Sequence, residues 1–170
     1  MTVTNLRKAD DDRFALDAGP FQLARRTAEV AAIAAEHAEA VDRDAAYPEA
    51  AMAAARRLGL LGVLVPTELG GESASIHDVM EMCYTLGRAC SSTAMIVAMH
   101  HVKVACIVRH GRGNAWMEYY MRRIAAEQLL MGSSTTEGNN GGNVRASAAP
   151  VLAEDGRFTL ERDASVISYG

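Results

Sequence analysis

The chain has 170 residues, 49% of them apolar and 22% charged, a globular composition with room for one domain and part of another. A formal net charge of −4 argues against a nucleic-acid or polyanion partner. The start, MTVTNLRKADDDRF, is polar and lacks a secretory apolar core. The most apolar stretch, STAMIVAMHHVKVACIVRHG, is interrupted by His100, His101 and Lys103, so it reads as a buried helix, not a membrane span, and the expected location is cytoplasmic.

Residues 1–20 are expected to be frayed. From Phe21 to Ala46, Leu23, Val30, Ile33 and Ala34 recur at helical spacing, and Gly19-Pro20 marks the start of a long helix. Pro48 fits the first turn of a second helix that Gly59 stops. LLGVLVPTELGG follows, with Gly62, Pro66, Gly70 and Gly71 imposing a set backbone path. Residue types favour a structural connection there over a ligand-facing loop. Ser75 with Asp78 resembles an acidic capping box, opening a third helix to about Ala89. Ser91 or Ser92 can cap a fourth helix, apolar on nearly all sides and therefore expected to be buried centrally. Asn114 can cap a fifth, ending near Gln128. The fold class is mainly α: a helical bundle of about five helices over residues 21–128.

The pattern changes over residues 129–170. LLM reads as a short apolar strand leading into TTEGNNGGN, Asp155-Gly156 is a hairpin signal between two strands, and Val166 and Ile167 sit in a third. Three open-edged strands make a poor finished domain, so the expectation is the beginning of a β domain in an N-terminal fragment.

Cys83, Cys90 and Cys106 lie within apolar helical patterns and read as buried reduced thiols. His100 and His101 are adjacent on a helix, have no carboxylate at ligand spacing, and read as core or interface histidines. Cys106 and His110 share a face and read as a packing pair. No Walker loop or dinucleotide fingerprint occurs. TTEGNNGGN, by residue types, suits a linker better than a ligand loop. Its place between a strand and a sheet shifts the balance towards a ligand, because glycine permits close backbone approach.

Taken together, LGLLGVLVPTELGG, the capped helix after it, ACSSTAM, and a strand leading into Thr-Glu and a glycine loop resemble the acyl-CoA dehydrogenase family of flavoproteins, from about Phe21 to Gly170. The family's flavin loop runs Thr-Glu-Pro-x-x-Gly-Ser-Asp. Thr136, Glu137 and Gly141 keep its positions, whereas Gly138, Gly142 and Asn143 replace proline, serine and aspartate. A later Trp-Ile-Ser/Thr element falls on Val166, Ile167 and Ser168, with the Trp lost.

The resemblance implies FAD, held at its edge by Thr136 and by the backbone of Ser133, Ser134 and Thr135. Gly141, Gly142, Val166, Ile167 and Ser168 complete the cofactor set, and Ser168 would reach the flavin N5. Gly142 stands where the family's serine contacts substrate. Implied too are an acyl-CoA thioester substrate undergoing α,β-desaturation, an electron-accepting flavoprotein or other acceptor, and a homo-oligomer. The catalytic base is expected in a C-terminal domain, so the 170 residues alone are expected to be inactive. Two alternatives stand beside this one: a flavin-dependent monooxygenase of the same superfamily and a non-catalytic helical interaction module.

Overall fold

A computed structural model of the chain describes residues 20–136, 147, 149 and 151–167. Of the expected frayed segment 1–20, residues 1–19 lie outside them, as do Gly141, Gly142 and Ser168, whereas Pro20 is already the first residue of a helix. The chain divides into two compact units, meeting at Leu129–Leu130.

The first unit is helical, and its elements are α1 (Pro20–Arg43), α2 (Glu49–Arg57), a short 3-10 turn (Thr67–Leu69), α3 (Ile76–Ala89), α4 (Ser91–His110) and α5 (Ala115–Glu127). The five expected helices are present. Their ends follow local chemistry. α1 stops before Ala46 because Ala45 takes a positive φ of 48°. Pro48 precedes the first turn of α2 instead of joining it. Ser75 and Asp78 form the full capping box, and the Ser75 side chain, then its backbone, holds the Asp78 carboxyl below its ordinary pKa. Asn114 Oδ1 accepts from the amides of Trp116 and Met117, both at 3.1 Å. At α4 the cap position belongs to Cys90, and Ser91 is already helical.

Two further expectations are corrected. α4 buries one stripe, Thr93, Ile96, Val97, His100, His101 and Val104, but leaves Met95 63% and Val102 52% exposed. It is not wrapped on all sides, since apolar composition does not say how many neighbours a helix has. By length and composition alone it could cross a membrane. Of the cysteines, Cys90 is buried, Cys83 is half-buried with its thiol pKa raised by desolvation, and Cys106 is exposed beside an exposed His110, so those two are no packing pair.

The centre of the unit is irregular chain. Leu60 to Pro66 are all buried without belonging to a helix or strand, so their peptide groups need partners other than water. His100 and His101 supply two: each donates Nε2–H to a carbonyl, Leu61 at 2.8 Å and Leu60 at 3.0 Å. Gln128 Oε1 accepts from the Leu61 amide at 2.8 Å. Val65 and Val63 carbonyls accept from Ser73 and Ala74. Arg26 anchors the flanks, donating to Leu58 O at 2.9 Å and to the Glu72 carboxylate at 2.6 Å. Gly71 lies so close that a Cβ there would stand 2.0 Å from Val65 O. The structural-connection expectation for this stretch describes it well.

The second unit contains an antiparallel hairpin of β1 (Val151–Glu154) and β2 (Arg157–Leu160), with Val151 opposite Leu160. Asp155 and Gly156, at φ 50° and 72°, both take the positive values that a tight two-residue turn requires. The other two expected strands are absent among the described residues. Leu129–Met131 lack strand pairing, and only Ser133 forms an isolated bridge. Val166 and Ile167 also lie outside any strand, because Val166 spends its backbone groups on a side chain.

Burial lowers the His101 pKa from 6.5 to about 3, helped by its neighbour His100, and lowers that of His100 as well. Below pH 6.5 the unfolded chain therefore binds protons that the fold excludes. The His101 contribution is expected to be full above that pH and to fall towards pH 3, by up to about 1.4 kcal/mol per pH unit, and His100 acts in the same direction. Urea unfolding at several pH values checks this, and His101→Gln, which keeps an N–H donor, should remove one histidine's share. Gly71→Ala should cost at least about 2 kcal/mol by forcing the buried loop to shift, measurable in the same titration at neutral pH.

Candidate functional site

The residues singled out for ligand binding fall in the second unit, on two segments far apart in sequence. One is the extended run Ser133–Thr136. Ser133 is 5% exposed, while Ser134, Thr135 and Thr136 face solvent. The other follows β2 and includes Val166 and Ile167, 62% and 49% exposed.

A reciprocal pair of hydrogen bonds joins the segments. The Thr136 hydroxyl donates to Val166 O at 2.6 Å and accepts from the Val166 amide at 3.2 Å. One side chain thus satisfies both peptide groups of a residue 30 positions away, which is why Val166 needs no partner strand. In this arrangement the Thr136 hydroxyl is a clasp, with its proton already engaged.

A second tie was not visible in the sequence. Arg162 donates from Nη1 to Ser134 O at 2.5 Å and from Nη2 to Ser147 Oγ at 2.9 Å. Ser147 in turn exchanges hydrogen bonds with Ala149, its hydroxyl donating to the carbonyl and accepting from the amide. No motif marks Arg162. Its only sequence signal is a long cation placed just after the end of a strand.

The described part of the site is therefore a short ribbon, Ser134–Thr136, held at one end by Arg162 and at the other by Val166. Three short hydroxyl side chains line it, and an exposed apolar pair sits at its far anchor. Short polar side chains and backbone donors beside apolar surface suit a flat ligand with a hydrogen-bonding edge and an apolar face, such as a flavin. Such a group fits the residues present. Glu137, Gly138, Asn139, Asn140 and Asn143 of the glycine loop lie outside the described residues, as do Gly141, Gly142 and Ser168.

Other candidates resolve as structural. His100 and His101 are engaged with loop carbonyls, and no cluster of metal-ligating side chains occurs among the described residues.

Residues 22–128 match the sequence model of the family described as acyl-CoA dehydrogenase, N-terminal domain. The chain is 28% identical over 131 residues to cyclohex-1-ene-1-carbonyl-CoA dehydrogenase of Geobacter metallireducens, covering 76% of the chain and 34% of that protein. It is 31% identical over 97 residues to a probable FMNH2-dependent monooxygenase of Pseudomonas putida, covering 56% of the chain and 24% of that protein. Among solved structures, FMN-bound TdsC from a Paenibacillus species is similar with a TM-score of 0.71 at 21% identity, over 82% of the chain and 34% of that protein, a likeness of fold. The chain spans about a third of the length of the dehydrogenase and of TdsC, and less of the monooxygenase.

Replacing Thr136 by Val removes the clasp while keeping the side-chain shape. Amide exchange at Val166 is expected to quicken by about five-fold or more, the loss of roughly one net hydrogen bond, and Thr136→Ser should preserve the slow rate. Hydrogen exchange followed by NMR reads both.

Proposed function

The chain belongs to the acyl-CoA dehydrogenase family, and from that premise we propose that it is the N-terminal part of an FAD-dependent oxidoreductase acting on an acyl-CoA thioester. The observation that carries the proposal is the junction of Thr136 with Val166. Two segments that resemble the family's flavin-contacting elements meet through a reciprocal pair of hydrogen bonds.

In this proposal a bound flavin supplies the two-electron acceptor for α,β-desaturation. The chain's own residues bind and orient it. Backbone of Ser133–Thr135 offers hydrogen bonds to the polar edge, Thr136 keeps the ribbon in register with Val166, and Val166 and Ile167 present apolar surface. Gly141, Gly142 and Ser168 complete the set, with Ser168 the proposed donor near N5 and Gly142 at the substrate side. Gly142 brings no side-chain contact to the thioester, so substrate grip passes to other parts of the protein. In this proposal the base lies elsewhere in the complete polypeptide, which assembles as a homo-oligomer and passes its electrons to a separate acceptor, a flavoprotein or another.

A second reading, a flavin-dependent monooxygenase, draws on specific observations. The Pseudomonas putida relative is a probable FMNH2-dependent monooxygenase, and Val166 leaves more open space than the aromatic residue of the dehydrogenase motif.

The two separate cleanly in the full-length protein. A dehydrogenase is expected to take up FAD and to lose its visible flavin absorbance when mixed anaerobically with acyl-CoA. A monooxygenase would leave that absorbance unchanged, and supplied with reduced flavin would consume oxygen with formation of a hydroxylated or cleaved product. Failure to bind either FAD or FMN would overturn both.

A further inference from the structure

We propose that Arg162 is a positioning residue for the flavin-binding ribbon, setting the backbone of Ser134 through its guanidinium. This rests on the flavin reading above.

The geometry is that of a fork across two strands of chain. Arg162 is half-buried, and its two terminal nitrogens reach different segments: Ser134 O, 28 residues earlier, and Ser147 Oγ, 15 residues earlier. The guanidinium is planar, so fixing Nη2 on Ser147 also fixes the direction in which Nη1 points. The reciprocal Ser147–Ala149 bonds orient the Ser147 hydroxyl in turn. A lysine could reach one acceptor but could not hold both in a common plane.

The placement matters because of what lies four residues on. Arg162 and Val166 belong to one run of chain, and the ribbon residues they hold, Ser134 and Thr136, are two apart. One segment therefore grips the ribbon at two points and sets the spacing and twist of the backbone between them. A short ribbon offering backbone hydrogen bonds to a flat ligand needs such external bracing, since among the described residues Ser134–Thr136 belong to no strand. Two of the bonds of Arg162 go to protein groups, Ser134 O and Ser147 Oγ, and the proposed role acts through them. Its effect is to lower the ordering cost of the ribbon on binding.

The test uses the full-length polypeptide, freed of flavin and titrated with FAD and separately with FMN, followed by flavin fluorescence and the shape of the visible absorption band. Arg162→Ala is expected to weaken binding about ten-fold or more and to blur the band towards that of free flavin, as pre-organisation is lost. Millimolar guanidinium ion should restore binding and band shape in that variant and leave the wild type unchanged. A residue that merely fills space would not be rescued in this way. Arg162→Lys should be intermediate, and it decides the matter if the alanine variant does not fold. Wild-type affinity and spectrum in the variants that fold would overturn the role of Arg162 alone. Absence of flavin binding by the wild type would overturn the flavin reading and this assignment with it.

Discussion

The helical unit depends on burying a stretch of irregular chain. Leu60 to Pro66 run through its centre with no ladder of their own, and an unpaired buried peptide group costs on the order of 1–3 kcal/mol. The surrounding elements answer that requirement one group at a time. α4 contributes His100 and His101, the end of α5 contributes Gln128, and the chain folding back after Gly71 contributes Ser73 and Ala74. α4 and α5 are thus tied to the loop by direction-specific bonds as well as by apolar contact. That explains polar side chains in the most apolar helix: an aliphatic residue at position 100 or 101 would pack but leave a carbonyl unanswered.

The second unit solves a similar problem with fewer residues. Its hairpin is exposed along both strands, and order in the neighbouring ribbon comes from side chains reaching backbone. Thr136 takes both peptide groups of Val166, and Arg162 takes one of Ser134. Side chain-to-backbone ties hold a chain in place without closing its edge to a ligand, as a strand partner would.

How much of this was legible depended on the range of the interaction. The Ser75–Asp78 box, the Asn114 cap and the Asp155-Gly156 turn are decided within a few residues, and the sequence carries all the chemistry they need. The part-exposure of α4 is not legible, because its composition is apolar nearly all round while its burial depends on which helices lie beside it. His100 and His101 sit about 100° apart on a helix, which makes a shared ligand improbable; nothing local tells that two consecutive carbonyls of one loop lie where both rings can reach. The third strand failed for a related reason. Val166 and Ile167 have strand character, but whether they pair with a strand or with a hydroxyl 30 residues away is a tertiary matter. Family resemblance drew Thr136 and Val166 into one site, and periodicity could not have done so.

Arg162 carries no local signal of its role. It belongs to no motif and lies outside the segments that carry the family resemblance, and its guanidinium reaches a backbone carbonyl, Ser134 O, as well as the Ser147 hydroxyl. A carbonyl accepts from any donor, so recognition of this kind leaves no paired signature in a single sequence. Yet its consequence for the site is larger than its anonymity suggests. Ser134 and Thr136 are both held by the run from Arg162 to Val166, so a flavin seated on the ribbon, as proposed, would meet a backbone whose spacing those two ties set. In the proposed site, the residues that touch the ligand and those that set where the touching backbone stands are different residues, and only the first kind leaves a motif.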